Sequence, residues 1–565
     1  MIGSVFGRWK TSKLTQAMLE RPPRRLWPLA RSEFVTMGVW DFYFIAKLFL
    51  YFAGLIGFHF LANLAFVVCM MAPLRTTRHE RVRQLIAFPV GVALFYYDTW
   101  FPPFGRLISQ LSAIEEFDAN YLVELVGRFF NPWIVVALGL LYGIYFMARR
   151  RLRIVTFIML GMLATLVPVT ARSPVGGISD LFSRSNRAKN DLGDIDLRSA
   201  AVPKDSDLAS VLSTFYQYEN GRSVTFSTPL PSDPPFDILI LQVCSLSWDD
   251  LDFEKERSNP FFDRFNIVFS NFNSAASYSG PAVIRLLRSS AGHQKHHDLY
   301  DPPDLSAQTF ENLRKIGYDP QLAMNHDGRY GNLLVDIRER GGMKSIPLSN
   351  KTATPYLQSF DGTPVYDDLS VLSKWWEQRL KSSSERVALF YNTVSLHDGN
   401  RYAGGAPGRS LETYRPRLRK LLSDMDKFFA QIEESGRRAV IVFIPEHGAS
   451  IRGDKMQIAG MREIPSPRIG HVPVGVKVIG LKKTIDGKPL LVPDPSSYLA
   501  VSKLLSEFIR RSPYVVDPPE LDEYVRDLPV TGFVSENADL VVMRYGRQYF
   551  MHSKDTAWVE YDPTP

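Results

Sequence analysis

The chain has 565 residues, 66 Lys and Arg against 59 Asp and Glu, a formal charge of +7 and two cysteines. That length exceeds one ordinary core, because domains cluster near roughly 100–200 residues, and two isolated cysteines, Cys69 and Cys244, exclude a disulfide framework. The mean hydropathy of -0.09 beside 22% charged residues requires strongly apolar stretches set against a soluble portion, and the basic residues cluster beside those stretches, so no nucleic-acid partner is expected.

Residues 1–38 carry Arg21, Arg24, Arg25 and Arg31 and lead into an apolar run over 39–72 with no small-residue cleavage site after it. This reads as a cytoplasmic N-terminus before a retained segment, not a signal peptide. The run is too long for one span of about 20 residues, and Gly54, Gly57, His59 and Asn63 interrupt it. A hairpin of two spans is expected there. Further apolar stretches occupy 85–100, 133–148 and 154–171, with Arg75, Arg78, Arg81 and Arg83 before the first and Arg149, Arg150, Arg151 and Arg153 between the last two. Basic loops stay cytoplasmic. A transmembrane domain of about five helices over 39–171 puts all three basic clusters inside, and everything after Ala171 outside. In a Gram-negative cell this is a multi-pass inner-membrane protein with a periplasmic domain. A single tilted helix over 39–72 would instead separate the first two basic clusters across the membrane.

Residues 172–207 turn polar with little periodicity, as a flexible linker does. From 208 to 565 the pattern is that of a catalytic α/β domain. A continuous apolar run over 236–243 has the form of a strand covered on both faces, and further strands are expected over 266–269, 387–392, 439–444 and 474–479. Helical periodicity falls over 208–218, 281–289, 306–316, 369–380, 411–434 and 496–511. Strands alternating with helices give a three-layer α/β sandwich, whose chemistry belongs at the carboxyl ends of the strands.

Three of those ends carry reactive side chains. Strand 236–243 runs into Cys244, and strand 439–444 runs into Pro-Glu-His-Gly with Glu446 and His447. A thiolate, a carboxylate and an imidazole together suit zinc better than magnesium or calcium, which take oxygen ligands. Each alone has a plainer reading, Cys244 as a small buried residue and the Glu-His pair as a loop. The third end is Ser-Tyr-Ser-Gly-Pro, where Pro281 marks a first helical turn and puts Ser279 at a helix start. The free N–H groups and dipole there favour an alkoxide or a phosphate. By local pattern alone Ser279 is equally a capping residue.

The whole constellation resembles the alkaline phosphatase superfamily, and more narrowly its membrane-anchored phosphoethanolamine transferases, within them the branch that modifies bacterial cellulose. The blocks that carry the resemblance are CSLSWDD at 244–250, FNSAASYSGPAVIRLLR at 272–288, FDGTPVYDD at 360–368, FYNTVSLHDGN at 390–400, PEHG at 445–448 and GMREIPSP at 460–467. The likeness runs from Trp40 to at least Asn537, broken mainly in the linker. It implies an alkaline phosphatase/sulfatase-type fold, a Zn2+ cofactor held by Cys244, Glu446 and His447, and Ser279 as the metal-facing nucleophile, with Tyr278, His397 and Arg462 as catalytic neighbours. The lipid A transferases carry Glu, Thr and Asp where this chain has Cys244, Ser279 and Glu446, which favours the cellulose branch.

The implied reaction is attack of Ser279 on phosphatidylethanolamine, expelling diacylglycerol, followed by attack of a primary glucose hydroxyl of nascent cellulose on the phosphoserine. His397 is the expected acid/base and Arg462 the charge stabiliser. The implied partners are the inner membrane and subunits of the cellulose synthase complex. Two alternatives stand beside this: transfer to lipid A or another periplasmic glycolipid, and a mainly structural subunit of the synthase complex. Of the lesser features, His293, His296 and His297 are expected in an exposed loop, His326 near the cleft or capping a turn, and Arg285 and Arg288 on a solvated helix face.

Overall fold

The computed structural model describes residues 37–166 and 205–565, apart from 54–55, 75, 100–118, 130–131, 150, 303, 405–408, 482–486, 554–556 and 565. Two compact units emerge, one from Met1–Thr99 with Trp133–Ser185 and the other from Trp100–Pro132 with Asn186–Pro565. The expected cytoplasmic segment 1–38, save its last two residues, and the expected linker 172–207, save its last three, lie outside the described residues.

In the first unit the apolar run over 39–72 folds as two helices, Val39–Phe52 and Phe60–Met71, followed by Thr77–Asp98, Pro132–Ala148 and Ile154–Ala164. Among the described residues no helix is long and apolar enough to cross a membrane. The 22-residue Thr77–Asp98 helix opens on Arg78, Glu80, Arg81 and Arg83, and the expected stretch 154–171 is described only to Leu166. Trp40 packs edge-on to Phe66 and Phe44 lies in the same cluster. Three helices are tied by one polar knot: Lys47 Nζ lies 2.5 Å from Asp98 Oδ2 and 2.7 Å from Asn63 Oδ1, and Asn63 Nδ2 donates to Asp98. His59 adds its ring nitrogen and its backbone N–H to the other carboxylate oxygen.

The second unit is built on a seven-stranded sheet. Its strands, in chain order, are β1 Asp237–Val243, β2 Ile267–Asn273, β3 Asp319–Met324, β4 Val387–Thr393, β5 Ala439–Pro445, β6 His471–Ile479 and β7 Leu490–Val492. They lie in the order β7, β2, β6, β5, β1, β4, β3. All neighbours are parallel except β6, which is antiparallel to both β2 and β5. Alternate residues of β1 feed opposite cores, as strand geometry demands. Ile238 and Ile240 pack with the helices Ser279–Leu287, Thr309–Lys315 and Tyr498–Arg510, while Leu239 and Leu241 pack with Asp368–Lys381 and Tyr414–Glu434. This is the expected three-layer sandwich.

The expected strands over 236–243, 387–392 and 439–444 and the expected helices fall within a few residues of these elements. The sequence reading missed β3, whose Asp-Pro-Gln start is half polar because it is an edge strand. It also missed the antiparallel sheet of Val534–Glu536, Leu540–Tyr545, Gln548–Ser553 and Val559–Tyr561. Those strands are three to six residues long, and their apolar run Leu540–Met543 is shorter than the one that marked the main sheet.

Candidate functional site

Cys244 follows β1 directly, and its N–H donates to the Thr393 carbonyl at the end of β4. Glu446 follows β5, and its N–H donates to the carbonyl of Val243. The parallel ladder therefore delivers the thiol and the carboxylate side by side at the carboxyl edge of the sheet. Ser245 at φ 64 turns the chain sharply out of β1. Asp250, in the same CSLSWDD block, accepts the N–H of Ala449 at 2.8 Å and so fixes the loop that carries His447. Burial pushes the Asp250 carboxyl up to about 6.

Ser279 is the first residue of the Ser279–Leu287 helix, with Tyr278 as its extended N-cap. Its first-turn N–H groups have no carbonyl in a preceding turn, and the Tyr278 side chain does not cap them. Ser279 Oγ lies 3.5 Å from Cys244 Sγ and 3.5 Å from His447 Nε2, and those two are 4.0 Å apart. Glu446 Oε2 stands 3.8 Å from His447 Nε2. The donor atoms of Cys244, Glu446 and His447 all lie within 4.8 Å of one another, and all three residues are buried.

Burial dominates the electrostatics of this trio. Burial, reinforced by the Glu446 charge, pushes the Cys244 thiol up to about 12. Burial raises the Glu446 carboxyl and, with Arg462 nearby, drives the His447 imidazolium well down. Among the described residues Glu446 Oε2 is buried with no hydrogen-bond partner, an expensive state for a carboxylate oxygen unless something positive meets it. His447 Nδ1 is 2.9 Å from the Gly448 carbonyl, which takes the ring proton and leaves the Nε2 lone pair facing the thiol. One sulfur, one oxygen and one nitrogen converging in this way fit a zinc ion.

Beside Ser279 opens a cavity of about 640 Å³ lined by Tyr121, Tyr278, His326, Phe360, His397 and Arg462, among others. Arg462 Nη1 packs against the His447 ring, 3.2 Å from Nδ1, and its guanidinium lies 5.7 Å from the Tyr278 ring centroid. The Tyr278 hydroxyl donates to Glu463 at 2.5 Å. His397 sits in the loop after β4, with Nδ1 2.6 Å from the Asp398 carbonyl and its ring 5.0 Å from that of Phe360. Burial and Arg462 lower its imidazolium to about 4. All seven expected site residues are thus gathered, although no hydrogen bond joins His397 to Ser279 among the described residues.

Several neighbours escaped the sequence reading. Asn392 at the end of β4 donates to Glu446, its only sequence signal being a polar residue closing an apolar strand. Tyr121, from the helix Ala119–Phe129, donates its hydroxyl to Asp398 at 3.1 Å across a sequence separation of 277. Nothing local marks it. Three expectations change. His293 is buried, with its N–H on Glu219 and its ring against Phe215, and not in an exposed loop with His296 and His297. Arg285 and Arg288 are also buried, because Arg285 reaches Glu536 and the Gln294 carbonyl and Arg288 the carbonyls of Arg340 and Asp301.

The class this fold and site define is a three-layer α/β domain with a serine and a metal-fitting side-chain trio at its strand ends, joined to an apolar helical unit. Residues 40–167 match the family described as cellulose biosynthesis protein BcsG N-terminal domain, and 194–558 match cellulose biosynthesis protein BcsG C-terminal domain. The chain is 38% identical over 555 residues to cellulose biosynthesis protein BcsG of Salmonella typhimurium, covering 95% of this chain and 98% of that one. It is 37% identical to the Escherichia coli protein of the same name, with the same coverage. The chain belongs to the BcsG family. Among solved structures, the C-terminal periplasmic domain of EcEptC from Escherichia coli aligns at TM-score 0.41 and 13% identity, covering 61% of this chain and 97% of that one. The integral membrane lipooligosaccharide phosphoethanolamine transferase A (EptA) from Neisseria meningitidis aligns at TM-score 0.40 and 12% identity, covering 82% and 94%.

Proposed function

We propose that this chain is a zinc-dependent transferase of alkaline phosphatase type that moves phosphoethanolamine from phosphatidylethanolamine to primary hydroxyls of cellulose glucose units. What carries the reading is Ser279 at a helix start, its Oγ 3.5 Å from both Cys244 and His447, beside a cavity large enough for a headgroup and a sugar. Membership of a family named for cellulose biosynthesis supports the acceptor. The apolar stretches of the helical unit and the basic clusters beside them support a membrane anchor of about five spans, with residues 208–565 in the periplasm next to the lipid donor and the emerging glucan. Subunits of the cellulose synthase complex are the natural neighbours there.

Cys244, Glu446 and His447 would hold zinc with Ser279 facing it. When bound, the ion supplies Lewis-acid charge that lowers the serine hydroxyl's pKa toward neutrality. The first-turn N–H groups hold the phosphoryl oxygens, and Arg462 balances the charge that develops on them. Ser279 Oγ attacks phosphorus in line as the diacylglycerol oxygen leaves, the serine hydroxyl proton ending on that departing oxygen, giving a phosphoethanolamine ester on the serine. His397, neutral at working pH because burial and Arg462 lower its pKa to about 4, accepts the proton of the glucose hydroxyl that displaces Ser279 in the second step, and that proton ends on the departing Ser279 Oγ.

Incubating the full chain with phosphatidylethanolamine vesicles and cello-oligosaccharides tests this. Diacylglycerol release together with a phosphorus NMR signal coupled to the glucose C6 protons is the expected result. Diacylglycerol release with transfer only to lipid A would overturn the acceptor, and no release would overturn the donor.

A further inference from the structure

The sequence block Met-Asn-His-Asp-Gly at 324–328 has no role in the chemistry above, yet His326 is 8% exposed and lines the same cavity. We infer that His326 and Asn392 are positioning residues for Glu446, forming a directed chain of hydrogen bonds that pins one carboxylate oxygen and leaves the other free for metal. The inference rests on the reading of Cys244, Glu446 and His447 as a zinc site.

The direction of the chain can be assigned donor by donor. The Gly328 N–H donates to His326 Nδ1 at 3.1 Å, so that nitrogen carries no proton and Nε2 carries it. His326 Nε2 then donates to Asn392 Oδ1 at 2.9 Å. Asn392 Nδ2 in turn donates to Glu446 Oε1 at 2.6 Å and to Gln242 Oε1 at 3.1 Å. Turning the Asn392 amide over would set its oxygen against the Glu446 carboxylate and its NH2 against a protonated ring nitrogen, so only one orientation lets Asn392 bond both His326 and Glu446. Asn392 and Gln242 are register partners on adjacent parallel strands, which puts their side chains on one face of the sheet.

The backbone supports this chain as well. Gly328 takes φ +71, and a Cβ there would meet Leu334 Cβ at 3.0 Å and Met324 Cε at 3.2 Å, so the turn that aims its N–H at His326 is built for glycine. Asn350 Nδ2 donates to the carbonyls of Met324 and His326 and holds the same loop from below. Of the two Glu446 oxygens, Oε1 therefore takes the Asn392 donor, while Oε2, on the side of His447, is buried with no hydrogen-bond partner among the described residues. A carboxylate held in this way offers one oxygen in one direction. Without Asn392 it can rotate about its last bond and present both oxygens or neither, which weakens the metal.

The test is zinc binding by the purified full chain, measured by competition with a chelator of known affinity, with the melting temperature of the metal-free form recorded alongside. The zinc dissociation constant is expected to rise about 10–100-fold in Asn392→Leu and by a smaller factor in His326→Leu. His326→Gln, whose amide can still donate to Asn392, should return close to wild type, a rescue that a purely structural role would not show. The cobalt-loaded Asn392→Leu form should also show altered d–d bands as the carboxylate changes its mode of binding. If both leucine variants keep the wild-type zinc constant at an unchanged melting temperature, the positioning role is wrong while the zinc site stands. A wild-type chain that takes up no zinc overturns the site and this inference with it. If Asn392→Leu does not fold, the His326 pair decides the matter.

Discussion

In the helical unit Lys47, Asn63 and Asp98 are fully buried, and none of their side-chain polar atoms lacks a partner. In the α/β unit Cys244, Glu446 and His447 are equally buried, but among the described residues Glu446 Oε2 has no hydrogen-bond partner, and every ionisable member is pushed toward its neutral form. The two clusters look alike in a sequence, a few polar residues inside apolar runs. Their difference lies in closure. The helical cluster satisfies itself, whereas the α/β cluster leaves Glu446 Oε2 over, and that is the oxygen the proposed zinc would meet.

The sharpest way to break the comparison is to empty the open cluster. Cys244→Ala with His447→Ala is expected to remove zinc and to lower transfer by at least about 10⁴-fold, with little change in the metal-free melting temperature, as metal analysis and product assay would show. Retained zinc in that double variant would contradict the assignment. Next in size is the closed cluster. Asp98→Ala leaves Lys47 charged and unpaired inside the helical unit, and a loss of about 3–5 kcal/mol is expected, read as a fall in melting temperature. Replacing Lys47, Asn63 and Asp98 together by apolar residues should recover most of it, because removing a whole buried network costs far less than breaking one. Zinc content should not move in either.

Legibility followed the same divide between local and distant signals. The β1 and β5 runs are continuous and apolar, so their ends, and with them Cys244, Glu446 and His447, could be placed from the sequence. Ser279 was marked by Pro281 two residues on. Asn392 and Glu463 act through neighbours that only the folded sheet and loop bring within reach. Tyr121 lies farther off still, and its hydroxyl meets Asp398 across a separation of 277 residues. Arg285, Arg288 and His293 were misjudged for one reason: a charged or polar residue reads as exposed unless its buried partners, here Glu536, Glu219 and a set of backbone carbonyls, are visible.

Two smaller effects refine the picture. Tyr121→Phe removes one hydrogen bond to the residue beside His397, and a cost of about 1 kcal/mol is expected, seen as a few-fold drop in transfer with zinc retained. His293 gives a slope instead of an offset. Burial, with Arg285 adding to it, lowers its imidazolium well below the ordinary value near 6.5. Below that pH the unfolded chain binds a proton that the folded chain refuses, so stability present above about pH 6.5 is lost as pH falls. Melting curves of His293→Leu should be flatter than wild type on the acid side of pH 6.5, and identical slopes would count against the burial argument.

The central claim is that Ser279 carries the phosphoethanolamine between donor and acceptor, and intact mass spectrometry of the full chain tests it most directly. After incubation with phosphatidylethanolamine and no acceptor, the wild type should gain the mass of one phosphoethanolamine group, mapping to Ser279 and not to Ser277 or Tyr278. Ser279→Ala should show no adduct and no transfer while keeping its zinc. An adduct that persists in Ser279→Ala, or sustained glucan modification by that variant, would contradict the account.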